Sequence, residues 1–241
     1  MKLIGVGVGP GDPELVTVKG LRVLQEAGVV VVPVMDALEQ GRAEAVVRAH
    51  LGHDRLQRLV FALDDRGGVT AERLEAWEAA ADAVADILRR GAQTVVFATL
   101  GDPNIYSTFT YLADAVRARL PEVVIETVPG ITAMQDLASR SGTVLCEGTE
   151  SLALMPLTAG VEAFEAALDR FDTVVAYKGG RHMPQVLQVL DRAGRLAEAV
   201  HGSALGLVDE HIGPASAVSG EAPYLSTVIV PARRTSRGGK L

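Results

Sequence analysis

The sequence predicts an α/β protein of two domains, each a mainly parallel or mixed sheet flanked by helices. Three observations carry this. Short apolar runs of four to seven residues alternate with longer amphipathic stretches along the chain. The runs lack the apolar–polar alternation of a half-exposed strand, as expected where helices cover a sheet on both faces. The composition combines 25 glycines and 48% hydrophobic residues with only 4% aromatics, which suits an α/β protein better than an aromatic-rich sandwich.

Taken in order, residues 3–8 read as a first buried strand and 29–32 as a second, closed by Pro33, which has no N–H for a ladder. Residues 56–63 read as a third. Residues 94–100 form an uncharged fourth that ends at Gly101-Asp102-Pro103, and 123–128 form a fifth. Between them, Asp12 as cap and Pro13 in the first turn open a helix expected to run to about Ala27. Helical spacing recurs over 43–51 and over 70–90, where Leu74, Trp77, Ala81, Val84 and Leu88 share one stripe, and a further helix starts near Ser107. A second series follows Pro129-Gly130: a helix at 131–140, strands at 152–155, 173–177, 204–208 and 225–230, and helices at 161–168 and 184–193. The boundary is therefore set near residue 130, giving domains 1–130 and 131–241.

Composition also excludes. The net charge of −7 argues against a nucleic-acid binder held by phosphate contacts. No apolar stretch approaches the roughly 18 residues of a membrane span, and no cleavage signal follows the first residues, so a cytoplasmic protein with no membrane partner is expected. The single cysteine, Cys146, precludes an intrachain disulfide and reads as a small apolar filler. The five histidines form no metal-ligand pattern, and His50 with His53 reads as surface helix.

Four glycine turns, each at the end of an expected strand, hold the chemistry. Gly5-Val6-Gly7-Val8-Gly9-Pro10-Gly11 fails as a dinucleotide fingerprint, because the position three beyond Gly7 is Pro10 and that beyond Gly9 is Asp12. It serves either tight turning or close approach of backbone to a ligand. In Thr99-Leu100-Gly101-Asp102-Pro103, Gly101 removes a side chain where a ligand would pass. Asp102 either accepts from an amine or a ribose hydroxyl or organises its own turn. Thr127-Val128-Pro129-Gly130-Ile131-Thr132-Ala133 and Tyr177-Lys178-Gly179-Gly180-Arg181 repeat the pattern. The basic tail with Arg233, Arg234, Arg237 and Lys240 is a solvated terminus or an anion-contacting arm.

Together these residues resemble the tetrapyrrole methylase family, class III S-adenosylmethionine-dependent methyltransferases, over essentially the whole chain. The motifs are Gly9-Pro10-Gly11-Asp12-Pro13, Gly101-Asp102-Pro103, Pro129-Gly130-Ile131-Thr132-Ala133 and Tyr177-Lys178-Gly179. Longer strings, Gly101-Asp102-Pro103-Asn104-Ile105-Tyr106-Ser107 and Pro223-Tyr224-Leu225-Ser226-Thr227 among them, resemble the branch that methylates the C(20) meso carbon of precorrin-2. The resemblance implies a homodimer of two-domain subunits, with S-adenosyl-L-methionine in the cleft between the domains and no protein-bound metal. It implies cofactor contacts at Pro10, Leu100, Gly101, Asp102, Ile105, Thr132, Ala133, Lys178 and Leu205. Many relatives carry an apolar residue where Lys178 stands, which favours a substrate role for that ammonium. The implied substrate is a polycarboxylate, precorrin-2 or a cobalt-loaded counterpart, with another tetrapyrrole carbon as the alternative target. The cations and hydroxyl expected to meet its carboxylates are Lys178, Arg181, Tyr224, Arg237 and Lys240.

Overall fold

The computed structural model describes residues 1–52, 55–61, 70–158 and 160–235. The chain divides into two compact units, Met1–Thr132 and Ala133–Leu241.

In the first unit, β1 (Lys2–Gly7), β2 (Val29–Val34), β3 (Leu56–Val60), β4 (Thr94–Thr99) and β5 (Val124–Val128) form one sheet in the order β3-β2-β4-β1-β5. Every pairing in it is parallel. Its helices are α1 (Val18–Glu26), α2 (Arg42–Arg48), α3 (Ala71–Arg89) and α4 (Phe109–Arg119). The inner strands β1, β2 and β4 bury both faces, which is why they carry no alternation, whereas the edge strands β3 and β5 keep exposed positions. Leu3, Val31, Val95 and Phe97 pack with Ala81, Val84 and Leu88 of α3 and Leu112 and Val116 of α4. Ile4, Val6, Val30, Val32, Val96 and Ala98 pack with Leu24 of α1 and Val46 and Val47 of α2.

Two local expectations need correction here. The stretch after Asp12 is not one helix. Asp12 caps only a 3₁₀ turn, Pro13–Leu15; Val16 is extended; and Thr17 opens α1 by accepting from the Gly20 N–H at 3.0 Å. The two capping oxygens, on Asp12 and Thr17, each satisfy their own exposed donors, so the helix starts twice. Pro33 lies inside β2 and does not close it, because the ladder to β4 ends at Val31 and the remaining partner is β3. Residues 62–63 of the expected third strand, like His53, lie outside the described residues.

The second unit holds β6 (Leu152–Pro156), β7 (Thr173–Tyr177), β8 (Val200–Ser203), β9 (His211–Pro214) and β10 (Thr227–Val230), in the order β6-β7-β10-β8-β9. Only β6 and β7 pair in parallel; the other pairings are antiparallel. Helices α6 (Glu162–Leu168) and α7 (Met183–Arg192) supply Phe164, Leu168, Met183, Val186 and Leu190 to the core against Val174, Ala176 and Val228. Helix α5 (Ala133–Ser141) sets Leu137 against Gly202 of β8, where a Cβ would lie 2.7 Å from Leu137 Cδ1.

The expected strand at 204–208 is wrong. Ala204 and Gly206 both have positive φ, +51° and +73°, and Val208 is fully exposed, so this is the turn after β8. β9, a four-residue edge strand, gave no apolar signal. Cys146 is exposed and so is no filler. The described part of the tail is engaged within the unit. Arg233 pairs with Glu198 at 2.6 Å, Arg234 donates to Glu150 at 2.9 Å, and the Ala232 N–H donates to Thr173 Oγ1 at 3.0 Å.

Candidate active site

Because all five strands of the first unit are parallel, their carboxyl ends share one edge, where open α/β sheets bind ligands. The loops after β1, β4 and β5 meet there through glycine. A Cβ on Gly7 would lie 2.4 Å from the Gly101 carbonyl oxygen and 2.6 Å from the Gly130 nitrogen. One on Gly130 would lie 2.1 Å from the same oxygen. The Gly101 N–H donates to the Gly9 carbonyl at 2.8 Å and the Val8 N–H to the Thr99 carbonyl at 2.9 Å, clamping the first and fourth loops together. Gly101 itself (φ +66°) faces open space: the heavy atom nearest to its missing Cβ is Thr132 Cα, at 4.0 Å.

Asp102 is buried at 8% exposure and does what its turn alternative required, and more. Its Oδ1 accepts the Asn104 N–H at 2.8 Å and its Oδ2 accepts the Gly130 N–H at 3.0 Å, so one carboxylate fixes both its own loop and the loop after β5. Each oxygen retains a further lone pair for a ligand donor. The rest of the loop is equally tied. Asn104 Nδ2 donates to Thr127 Oγ1 at 3.3 Å, the Ser107 and Thr99 hydroxyls share a hydrogen bond at 2.9 Å, and Ser107 Oγ accepts the Phe109 N–H at 3.1 Å. Leu100, Gly101, Asp102, Ile105 and Thr132, together with Pro10 beside Gly9, are thus gathered at one sheet edge. Sequence reasoning missed Gly7 and Gly130 as a mutually packed pair, and Tyr106, whose φ is +51°.

In the second unit the strand directions put the carboxyl ends of β6, β7 and β8 and the start of β10 on a common edge. Lys178 follows β7 in a left-handed conformation, φ +57°, with its ammonium 5.9 Å from the centre of the Tyr224 ring. Gly180 makes this possible: a Cβ there would meet the Ala222 and Pro223 carbonyls at 2.2 and 2.4 Å, and its own carbonyl accepts the Ala222 N–H at 2.9 Å. The unit therefore brings Lys178 and Tyr224 together, with Arg181 in the adjoining turn bonded to the Thr158 carbonyl at 2.9 Å. Leu205 is buried at 5% exposure and packs toward Gly202, while Ala133 opens α5, whose Met134 N–H donates to the Tyr177 hydroxyl at 2.8 Å. Arg237 and Lys240 lie outside the described residues. Among the described residues there is no group of three or more His, Cys, Asp or Glu side chains able to hold a metal ion.

Two titratable groups stand out. Partial burial pushes the Tyr106 phenol above its usual value. His201, 2% exposed in β8, has no hydrogen-bond partner at either ring nitrogen among the described residues; burial, reinforced by the His211 ring 5.8 Å away, pulls it down to about 4.

The first unit thus presents a glycine-clamped sheet edge and the second a cationic turn, and comparison with known proteins gives the class of the chain. Residues 2–218 match the family model for Tetrapyrrole (Corrin/Porphyrin) Methylases. The chain belongs to that family. It is 33% identical over 237 residues to a Precorrin-2 C(20)-methyltransferase from Sinorhizobium sp, covering 95% of each chain. It is 30% identical to a Cobalt-precorrin-2 C(20)-methyltransferase from Salmonella typhimurium, again covering 95% of each. Among solved structures, a cobalt precorrin-4 methyltransferase superposes with a TM-score of 0.70 at 21% identity, covering 95% of this chain and 94% of that one. A Thermus thermophilus uroporphyrin-III C-methyltransferase complexed with S-adenosylhomocysteine superposes with a TM-score of 0.61 at 22% identity, covering 95% and 97%.

Proposed function

We propose that this protein transfers the methyl group of S-adenosyl-L-methionine to the C(20) meso carbon of precorrin-2, giving precorrin-3A in cobalamin biosynthesis. The observation that carries the reading is the 33% identity, over 95% of both chains, to a relative bearing that name. The similar match to a cobalt-precorrin-2 enzyme keeps the cobalt-loaded substrate as the second reading.

The first unit's edge fits the cofactor. Its floor is backbone, Gly101 faces open space, and Asp102 keeps lone pairs for hydroxyl or amine donors. We assign cofactor contacts to Pro10, Leu100, Gly101, Asp102, Ile105 and Thr132, with Ala133, Lys178 and Leu205 from the second unit. The bound cofactor supplies an electrophilic methyl on a sulfonium. The carbon of the electron-rich macrocycle that takes it loses a proton, and S-adenosylhomocysteine leaves. The chain's part is to hold both partners at an in-line distance of ~3–3.5 Å, an arrangement that contributes about 7–11 kcal/mol. Lys178, Arg181 and Tyr224, with Arg237 and Lys240, hold substrate carboxylates. A cytoplasmic homodimer completes the proposal; no described helix is long and apolar enough to cross a membrane.

The deciding experiment incubates purified protein with S-adenosylmethionine and either precorrin-2 or cobalt-factor II, following S-adenosylhomocysteine release and locating the new methyl by carbon NMR. A methyl at C(20) supports the reading, and the substrate turned over chooses between metal-free and cobalt-loaded forms. A methyl elsewhere, or none, overturns it. Light scattering of the purified protein tests the dimer.

A further inference from the structure

Among the described residues, three non-glycine residues have φ in the left-handed region, Tyr106, Lys178 and Ala204, and each lies in the loop that follows a strand, β4, β7 or β8. For a bulky side chain that conformation is costly and persists only where the surroundings over-determine it. At Tyr106 they do. Asp102 grips the loop at the Asn104 and Gly130 N–H groups, Asn104 is tied to Thr127, and Ser107 is tied to both Thr99 and the start of α4. Asp102, Asn104 and Ser107 each hold the loop in place through at least one hydrogen bond. Tyr106 is held by that frame with 43% of its surface exposed, beside Ile105 and in the same loop as Gly101.

A turn alone would be met with less strain by glycine. The geometry points to Tyr106 as a substrate-positioning residue, whose phenol O–H donates a hydrogen bond to a carboxylate of the tetrapyrrole. This rests on the reading above that the protein takes a polycarboxylate macrocycle. Partial burial, by holding the phenol protonated, keeps it a donor across the working pH range. The residue makes no bond to the migrating methyl. Its effect is on where the macrocycle sits.

Two variants separate this from a merely structural role. Tyr106→Phe keeps the ring and the strain and removes the donor. KM for the tetrapyrrole is expected to rise about tenfold, with kcat within about threefold and the dissociation constant for S-adenosylhomocysteine unchanged. Tyr106→Gly relieves the strain: its thermal midpoint is expected to rise by about 2–4 °C while KM rises as in the Phe variant. Stability and substrate affinity thus move in opposite directions, which loss of folding does not produce. Tetrapyrrole affinity within about twofold of wild type in Tyr106→Phe, or an equal loss of S-adenosylhomocysteine affinity, overturns the assignment, as does a lower midpoint in Tyr106→Gly. Should the wild-type protein leave precorrin-2 unmethylated, the proposed reaction fails on its own. Titration with uroporphyrin, a stable octacarboxylate, then decides Tyr106: about tenfold weaker binding to the Phe variant supports it, while equal binding or no binding to wild type overturns it.

Discussion

The two sheet edges are built from opposite materials. In the first unit the edge is backbone: Gly7, Gly101 and Gly130 pack on each other so closely that no side chain fits at Gly7 or Gly130, and the charged group there, Asp102, is turned onto main-chain N–H groups. In the second unit the edge is side chain. Glycine there, at Gly180, serves to bring the 222–224 segment close, and Lys178, Arg181 and Tyr224 are what is presented. The contrast teaches a division of labour. A cradle of amides and glycines suits a ligand recognised by shape and close approach. A cation stacked on a phenol suits one recognised by charge.

This contrast is most strongly challenged by Gly130→Ala. The added methyl has backbone on two sides and nowhere to move, so a loss above about 4 kcal/mol in chemical denaturation is expected, together with loss of S-adenosylhomocysteine binding. A mild effect would show that the glycine junction yields. Next, Asp102→Ala strands the Asn104 and Gly130 N–H groups and is expected to cost about 3 kcal/mol and weaken cofactor binding, measurable by denaturation and calorimetry.

The second unit has its own weakness, the buried His201. Its folded value of about 4 lies below the ordinary 6.5, so the unfolded chain binds the proton more readily. The stabilisation of the neutral ring is complete above pH 6.5 and is lost as pH falls toward 4, amounting to about 3 kcal/mol. Denaturation curves from about pH 7 to 4 should show it, and His201→Leu should remove that share of the slope. Smallest in its effect on the fold is Lys178→Ala, which leaves stability nearly unchanged. It is expected to raise KM for the tetrapyrrole about tenfold, far more than it changes S-adenosylhomocysteine affinity. Equal effects on both would remove the substrate role and leave this lysine with its cofactor contact alone.

Much of this was legible before any coordinates. Residues 94–99 announce a buried strand because nothing charged interrupts them, and α3 shows in the helical spacing over 70–90. The turns at Gly101 and Gly130 show as glycines at strand ends. Their mutual contact does not, because it depends on β4, β1 and β5 lying side by side, which only the assembled sheet decides. The misread strand at 204–208 has strand-like composition, and its left-handed Ala204 leaves no trace in residue type. Tyr106 escaped for the same reason. β9 escaped because its His211-Ile212-Gly213-Pro214 sequence carries one apolar side chain of any size.

The tail of the second unit behaves as a clasp. Past β10 the chain crosses to Thr173 with its Ala232 amide, and Arg234 then reaches the Val144 carbonyl and Glu150 ahead of β6, so a distant stretch of sequence is buckled to the start of the sheet. Arg233 and Arg234 are thereby committed to fastening. Any anion drawn to this corner must first prise a guanidinium from its carboxylate, so shortening the chain back to Pro231 would unlatch residues 144–150, not simply trim a charged end.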